Sequence, residues 1–356
     1  MHMTCPISDF AENFHLTYPH NNSFVDGGKA MILGRNTDEI TSLWRVDPEN
    51  SGKRVELCRF ERAKQPEKLL WSDSALETDA TVTIADRKMW LMDPHNPDPG
   101  NLRELYAAPE GKWLHPIPAI SPDGRRAVCG LHSAEHYETV LIDVESGRSR
   151  ILFEKPWTTD HFHFCPFDPE WIAFSHEGNC AKVMDRVWAW HETDASEGKC
   201  YFDQLSGDVA TTLYVGHERW SFHDRSVMIV AYGDSPGTPR GIYEAYVDGR
   251  PQQLISEGDR DMHLDVSRDG KWVAIDTSGP HDLPGKGWEN AQGISDILVA
   301  ERATGRRQFL ARTTISRHPS HPHPEFSPNG RFIYYNEGTP DASRNRVCRV
   351  ENPFWS

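Results

Sequence analysis

The sequence predicts an all-β protein, a seven-bladed β-propeller formed as one domain over residues 1–356. Two observations carry that expectation. A short turn followed by an apolar, alternating strand recurs along the chain, and its starts near 24, 121, 167, 221, 267 and 327 are mostly 46 to 60 residues apart. Periods near this length, with several short strands each, mark propeller blades, in which no unit can bury its faces alone.

The units can be followed in order. Asp26-Gly27-Gly28 precedes KAMILG, Ser121-Pro122-Asp123-Gly124 precedes RRAVCG, and Phe167-Asp168-Pro169 precedes EWIAFS. Phe222-His223-Asp224 then leads into RSVMIVAY, Ser267-Arg268-Asp269-Gly270 into KWVAID, and Ser327-Pro328-Asn329-Gly330 into RFIYYN. The gap between 24 and 121 is double, and Glu77-Thr78-Asp79 before ATVTIA fills it. Asp, Asn and Gly supply the positive φ that tight turns demand. Between these turns, residues 139–153 and 241–255 each read as a hairpin about a Gly-containing turn. No run of ten or more residues sustains a capped helical period.

Composition narrows the function. With 53 acidic against 38 basic residues the formal net charge is −15, which argues against nucleic acid as a partner. An anionic ligand would therefore need a locally positive pocket. No apolar stretch approaches the roughly eighteen residues needed to cross a bilayer, so no membrane association is expected. The start, MHMTCPISDF, shows no secretory pattern, and seven scattered cysteines read as reduced thiols, so a cytoplasmic location is expected.

Histidines carry the chemistry. His318, His321 and His323 fall within six positions, held by Pro319 and Pro322. Proline pushes the preceding residue to an extended conformation, in which side chains at i and i+2 share a side, so His321 and His323 can converge on one point. His263 stands four residues before Ser267, His323 four before Ser327, and His321 six before Ser327. His161 and His163 stand six and four before Phe167, and His217 five before Phe222. A shared blade phase brings histidines from four consecutive blades to a similar height on the axis. Neutral imidazole ligates first-row divalent metals, which makes a metal site the leading reading; inner-strand histidines bonded to backbone or water are the alternative.

Several strings then resemble the oligogalacturonate lyase family: HFHFCPFDPEWIAFSHEG (161–178), MDRVWAW (184–190), VGHERWSF (215–222), DMHLDVSRDGKWVAID (261–276) and HPSHPHPEFSPNGRFIYY (318–335). The resemblance runs over roughly residues 110 to 340. It implies a cytoplasmic seven-bladed propeller with a divalent metal, usually manganese, that cleaves small anionic pectic oligosaccharides by β-elimination to 4,5-unsaturated uronates. The family's metal ligands match His263, His321 and His323, and its glutamine ligand falls at His318, a fourth imidazole. Its candidate base, in a Gly-His-Glu-x-Trp string, matches His217; its substrate-binding arginine, in an Asp-Arg-x-Trp string, matches Arg186.

That chemistry accounts for the residue types. The C5 proton of a uronate is α to a free carboxylate and very weakly acidic, so an electrophile on the carboxylate, an arginine beside it and a neutral base are all needed. Around this core, His176 is a candidate to line the pocket, with a buried histidine bonded to backbone as the equal alternative, and Arg240 a candidate to meet a second carboxylate, with a surface turn as its alternative. Trp188 and Trp220 are candidates to stack on sugar rings, although tryptophans in propellers more often pack between blades. Glu218 and Trp220 are expected to orient His217. No Gly-x-Ser-x-Gly, P-loop or GxGxxG is present. Two further readings stay open: a lyase on another uronic acid glycoside, and a non-catalytic TolB-like interaction propeller.

Overall fold

The structure is a computed structural model describing residues 3–355 apart from 51, 66–68, 97, 99–100, 206–210, 315–320 and 342. Its strands form seven antiparallel sheets, each a blade built mainly from consecutive strands. Blade 1 pairs Phe14–His15 and Phe24–Val25 with Ala30–Asn36, then Ile40–Val46 and Arg54–Glu61. Blade 2 runs Ser72–Ser74, Thr81–Ala85, Lys88–Met92 and Arg103–Ala107; blade 3 starts from Trp113–Leu114 and Ala119–Ile120 against Arg126–His132 and ends at Ser149–Lys155. Blades 4, 5 and 6 begin with Thr159–Phe164, Val215–Trp220 and Asp261–Val266. Blade 7 takes Glu325–Phe326, Phe332–Gly338 and Asn345–Glu351, and its outer edge is completed by Cys5–Pro6 from the other end of the chain, with Cys5 opposite Arg349. Hydrogen bonds between the two ends of the chain thus close the ring and leave only a two-residue strand at the outer edge of blade 7.

The turns identified in the sequence are the links between first and second strands. Those of blades 2 to 7 are each closed by a corresponding backbone hydrogen bond: Ala75 N–H to the Ala80 carbonyl, Ser121 to Arg126, Cys165 to Trp171 (one residue longer), Ser221 to Ser226, Ser267 to Trp272 and Ser327 to Phe332. The alternating apolar residues of the strands fill the spaces between neighbouring blades. Between blades 4 and 5, Trp171, Val187, Trp220, Ile229 and Tyr243 form one such core. Equivalent clusters lie between every other adjacent pair of blades. A further buried group, Tyr18, Leu69, Trp71 and Ile117, stands near the axis and brings together residues around blades 1, 2 and 3. No helix of the described residues is long and apolar enough to cross a membrane.

Candidate active site

The closing hydrogen bonds give each blade a common origin. Counting four residues back from the residue that donates it reaches His161 from Cys165, His217 from Ser221, His263 from Ser267 and His323 from Ser327. The same count from Ala75 and Ser121 reaches Trp71 and Ile117, both members of the axial apolar group. One position in the blade therefore carries histidine in blades 4 to 7 and apolar residues in blades 2 and 3, so one side of the axis is polar and the other dry. This refines the phase expected from sequence. In blade 4 the equivalent residue is His161 alone, because Cys165 rather than Phe167 stands where the later blades have serine.

The backbone is bent to present these rings. The register between first and second strands shifts by a bulge at Asp160/His163, at Gly216/Arg219 and at Asp261/His263. His161, His217 and His323 have φ of 55°, 55° and 46°. Left-handed backbone at a non-glycine residue costs on the order of 1–3 kcal/mol and gathers at functional sites.

His163 takes a structural role instead. Its Nδ1–H donates to the His161 carbonyl at 2.8 Å, and its Nε2 accepts the Trp220 N–H at 3.2 Å. Burial pushes its pKa down to about 3, so it stays neutral.

His217, His263, His321 and His323 converge. Ring centroids are 4.0 Å apart for His217–His263, 4.4 Å for His263–His323, 5.3 Å for His263–His321 and 5.7 Å for His321–His323. Metal–nitrogen bonds of about 2.0–2.1 Å put imidazole centroids about 4.5–5.2 Å apart around one ion, for octahedral to tetrahedral angles. The separations within the His263, His321 and His323 group bracket that range. The His217–His263 pair, at 4.0 Å, lies about as far below that range as His321–His323 lies above it, and what sets His217 apart is its place on the wall of the neighbouring cavity. His263 is further prepared by Asp276, whose Oδ2 lies 2.9 Å from Nδ1, an arrangement that makes Nε2 the ligating nitrogen. These three histidines can hold a divalent metal. His318 lies outside the described residues.

A cavity of about 400 Å³ opens beside this group, bordered by Arg186, His217, Tyr232, Asp261, Met262 and Trp288 among others. That volume lies within the range of small-molecule sites, roughly 300–1,000 Å³. A second cavity, around His20, Asp73 and Arg219, holds only about 40 Å³. His217 Nδ1–H donates to the Met262 carbonyl, which fixes the tautomer and leaves Nε2 as the basic nitrogen; the Tyr232 hydroxyl is 3.1 Å from Nδ1. Burial, then the neighbouring His263, holds its pKa well below the ordinary value.

Arg186 is 5% exposed and is pinned by Glu177 and by Glu218, whose Oε1 is 3.4 Å from Nε. Glu218 Oε2 also lies 3.4 Å from His161 Nδ1, and His161 Nε2 lies 2.8 Å from the Tyr18 hydroxyl. Burial would raise the Glu218 carboxyl, but His161 and Arg186 override it and hold its pKa at about 2. Burial would likewise lower His161, yet Glu177, Asp160 and Glu218 raise it to about 9.

Other expected site residues are placed elsewhere. Trp220 is 1% exposed in the core between blades 4 and 5 and donates Nε1–H to the His163 carbonyl at 3.0 Å, so it packs rather than stacks on sugar. Nor do Glu218 and Trp220 orient His217, since Met262 and Tyr232 do so. His176 lies behind the pocket wall, stacked on Trp157 at 4.0 Å and bonded to Asp185 at 2.8 Å. Arg240 is spent on Asp259 at 2.7 Å and on the carbonyls of Ser235 and Gly237. Trp188 packs against Trp157 and Phe174.

Sequence reasoning gave no role to Tyr18, Asp276, Tyr232 or Trp288. It also passed over His281, Asp282 and Asp296, whose ligand atoms all lie within 4.8 Å of one another. Arg312 already pairs with both carboxylates of that group, 2.7 Å from Asp296 and 3.4 Å from Asp282.

Fold and site together define a seven-bladed propeller with a cavity beside a cluster of inner-strand histidines. No protein-family model matches the chain. Over 227 residues it is 22% identical to the oligogalacturonide lyase of Pectobacterium atrosepticum, and over 224 residues 23% identical to the oligogalacturonate lyase of Dickeya dadantii. Each match covers 61% of this chain and 56% of the relative, so the chain spans little more than half the length of the curated relatives it matches. In structure it superposes on an oligogalacturonate lyase in complex with manganese with a TM-score of 0.79 at 17% identity, covering 99% of this chain and 94% of that one. The oligogalacturonate lyase of Vibrio parahaemolyticus gives 0.78 at 15% identity with the same coverage. The chain thus resembles the oligogalacturonate lyases in sequence and shares their fold.

Proposed function

We propose that this protein is a metal-dependent lyase that cleaves short uronate-containing oligosaccharides, oligogalacturonides first among them, by β-elimination. The observation that carries the reading is a cavity bordered by a neutral histidine of fixed tautomer and a buried arginine, with three convergent imidazoles directly behind that histidine. His263, His321 and His323 would hold the metal, with manganese the choice suggested by the relative bound to it. A divalent ion there supplies Lewis-acid neutralisation of the uronate carboxylate, which makes the C5 proton removable.

The chain's own residues do the rest. Arg186 offers five N–H donors, more than Glu177 and Glu218 occupy, and so can pair with a substrate carboxylate. Glu177 and Glu218 offset its charge, so the attraction that an anion needs from a chain of net charge −15 would come from the metal together with Arg186. His217 takes the C5 proton at Nε2 while Nδ1–H stays on the Met262 carbonyl. The seven cysteines, all unpaired in the structure, fit a reducing, cytoplasmic setting.

The experiment is metal analysis of purified protein together with digestion of digalacturonate in oxygen-18 water. The expected result is close to one ion per chain and an unsaturated uronate product carrying no label. Label at the cleaved anomeric carbon, beyond exchange by product alone, would make the protein a hydrolase. Absence of turnover on homogalacturonan, glucuronan and ulvan fragments would overturn the lyase reading.

A further inference from the structure

In blade 6 the strands Trp272–Thr277 and Ile294–Glu301 are joined by residues 278–293, a sixteen-residue connection with no helix or strand of its own. Loops of this length without internal secondary structure are uncommon in compact folds and usually functional. This one is anchored from beneath. Arg260, 3% exposed, donates to the carbonyls of Ser278 at 2.9 Å, Leu283 at 3.2 Å, Pro284 at 3.1 Å, Gly287 at 3.3 Å and Glu289 at 2.8 Å. Gly287 N–H donates to the Asp259 carbonyl at 3.1 Å. The loop also presses on Gly233, where an added Cβ would stand 2.2 Å from the Gly287 nitrogen.

Next to Gly287 stands Trp288. It is 51% exposed, among the largest exposed apolar side chains of the molecule, yet it borders the same cavity as Arg186 and His217. A buried arginine spent on holding five carbonyls, and an indole left half in solvent at the rim of the cavity, fit one occupant. The face of a pyranose ring is a patch of C–H groups that packs on an indole, while its carboxylate and hydroxyls turn to the polar wall.

Resting on the lyase reading, we propose that Trp288 is the sugar-stacking platform of the cavity. Arg260 is the positioning residue that holds it there. Trp288 lies at the rim and His217 beside the histidine cluster, so the platform takes the sugar next to the one deprotonated.

The test is calorimetric titration with di- and trigalacturonate, paired with steady-state kinetics, on metal-loaded protein. Trp288→Ala should raise Kd and KM about ten-fold with a smaller change in kcat, and Trp288→Phe should recover most of that loss. Gly233→Ala, which displaces the loop without touching the indole, should weaken binding in the same direction. Circular dichroism and metal content serve as the folding control. Wild-type binding and cleavage with Kd and KM of Trp288→Ala within two-fold of it would overturn the platform alone. Failure of the wild type to bind or cleave either oligomer would overturn the lyase reading and the platform with it.

Discussion

The carboxylate of Asp276 lies 2.9 Å from Nδ1 of His263 and receives that residue's backbone N–H at 2.7 Å. Its Oδ2 also accepts the backbone N–H of His323 at 3.1 Å. One buried carboxylate thus orients a ring from blade 6 and fixes the chain carrying a ring from blade 7. Carboxylates in this relation to a ligating histidine set its tautomer and raise its basicity. Asp276→Asn should therefore weaken metal affinity about 10- to 100-fold while the fold survives. Competition with a chelating dye measures this, and unchanged affinity would remove His263 from the ligand set.

His217 is expected to behave differently from its neighbours. Its Nδ1 is committed to the Met262 carbonyl, and it borders the cavity that the other three histidines do not. His217→Ala should keep the metal and the substrate affinity but lower kcat by on the order of 10²- to 10⁴-fold, the share of a positioned acid–base group. Metal content and kcat measured on the same preparation decide the role. Loss of the ion would make His217 a ligand, and near wild-type turnover would put the base elsewhere.

Much of this was legible from residues because the repeat is written in turn chemistry. Asp, Asn, Gly and Ser recur where a tight link needs them, and His217, His263 and His323 keep one phase from those links. Blade 4 misled by two residues, because Cys165 replaces the serine that marks the link in blades 5 to 7. Cys5–Pro6 left no trace, since two residues cannot display a period of two. Asp276 reads as the end of an apolar strand, and nothing local shows that it reaches across to His323. Trp288 sits in an aperiodic loop whose order comes from Arg260, about thirty residues away. Trp220 illustrates the opposite error: its place beside His217 in the sequence suggested the site, but strand alternation turns it into the core between blades.

The pair formed by His161 and Glu218 gives a pH dependence of stability. Around His161 stand Asp160 and His115, Glu177 and Arg186, Glu218 from blade 5 and Tyr18 from the axial group. Glu218, held at about 2, contributes stability that is present above its unfolded value near 4.5 and is lost as pH falls toward 2. His161, raised to about 9, contributes stability that is full below 6.5 and is lost as pH rises through 9. The melting temperature should therefore peak between about pH 5 and 6.5 and fall on both sides. Glu218→Gln should flatten both limbs. Thermal melts from pH 2.5 to 9.5 on both proteins measure this, and a variant whose profile parallels the wild type would assign the dependence to other groups.

A final prediction separates stability from chemistry. Glu244 in blade 5 is fully buried and accepts from Arg302 of blade 6, with Nη2 at 2.6 Å and Nε at 3.0 Å, and from the Ser226 hydroxyl. Burial would raise its carboxyl, but His223, Ser226 and Arg302 together hold it at about 2. Removing Arg302 leaves the buried Glu244 carboxylate with only Ser226 and the partly exposed His223; because Arg302 is itself 27% exposed, the cost falls below the ~3–5 kcal/mol of a fully buried pair, and removing both partners costs less still. Arg302→Met should thus lower the denaturant midpoint markedly, and the double variant Glu244→Gln, Arg302→Met should recover part of the loss. Neither residue borders the histidine cavity, so metal content and KM of the folded fraction should match the wild type. Chemical denaturation with kinetics below the transition tests both halves. A single variant as stable as the parent would show that the interface between blades 5 and 6 rests on its apolar core, Val230, Leu264 and Leu298 among others, and not on this ion pair.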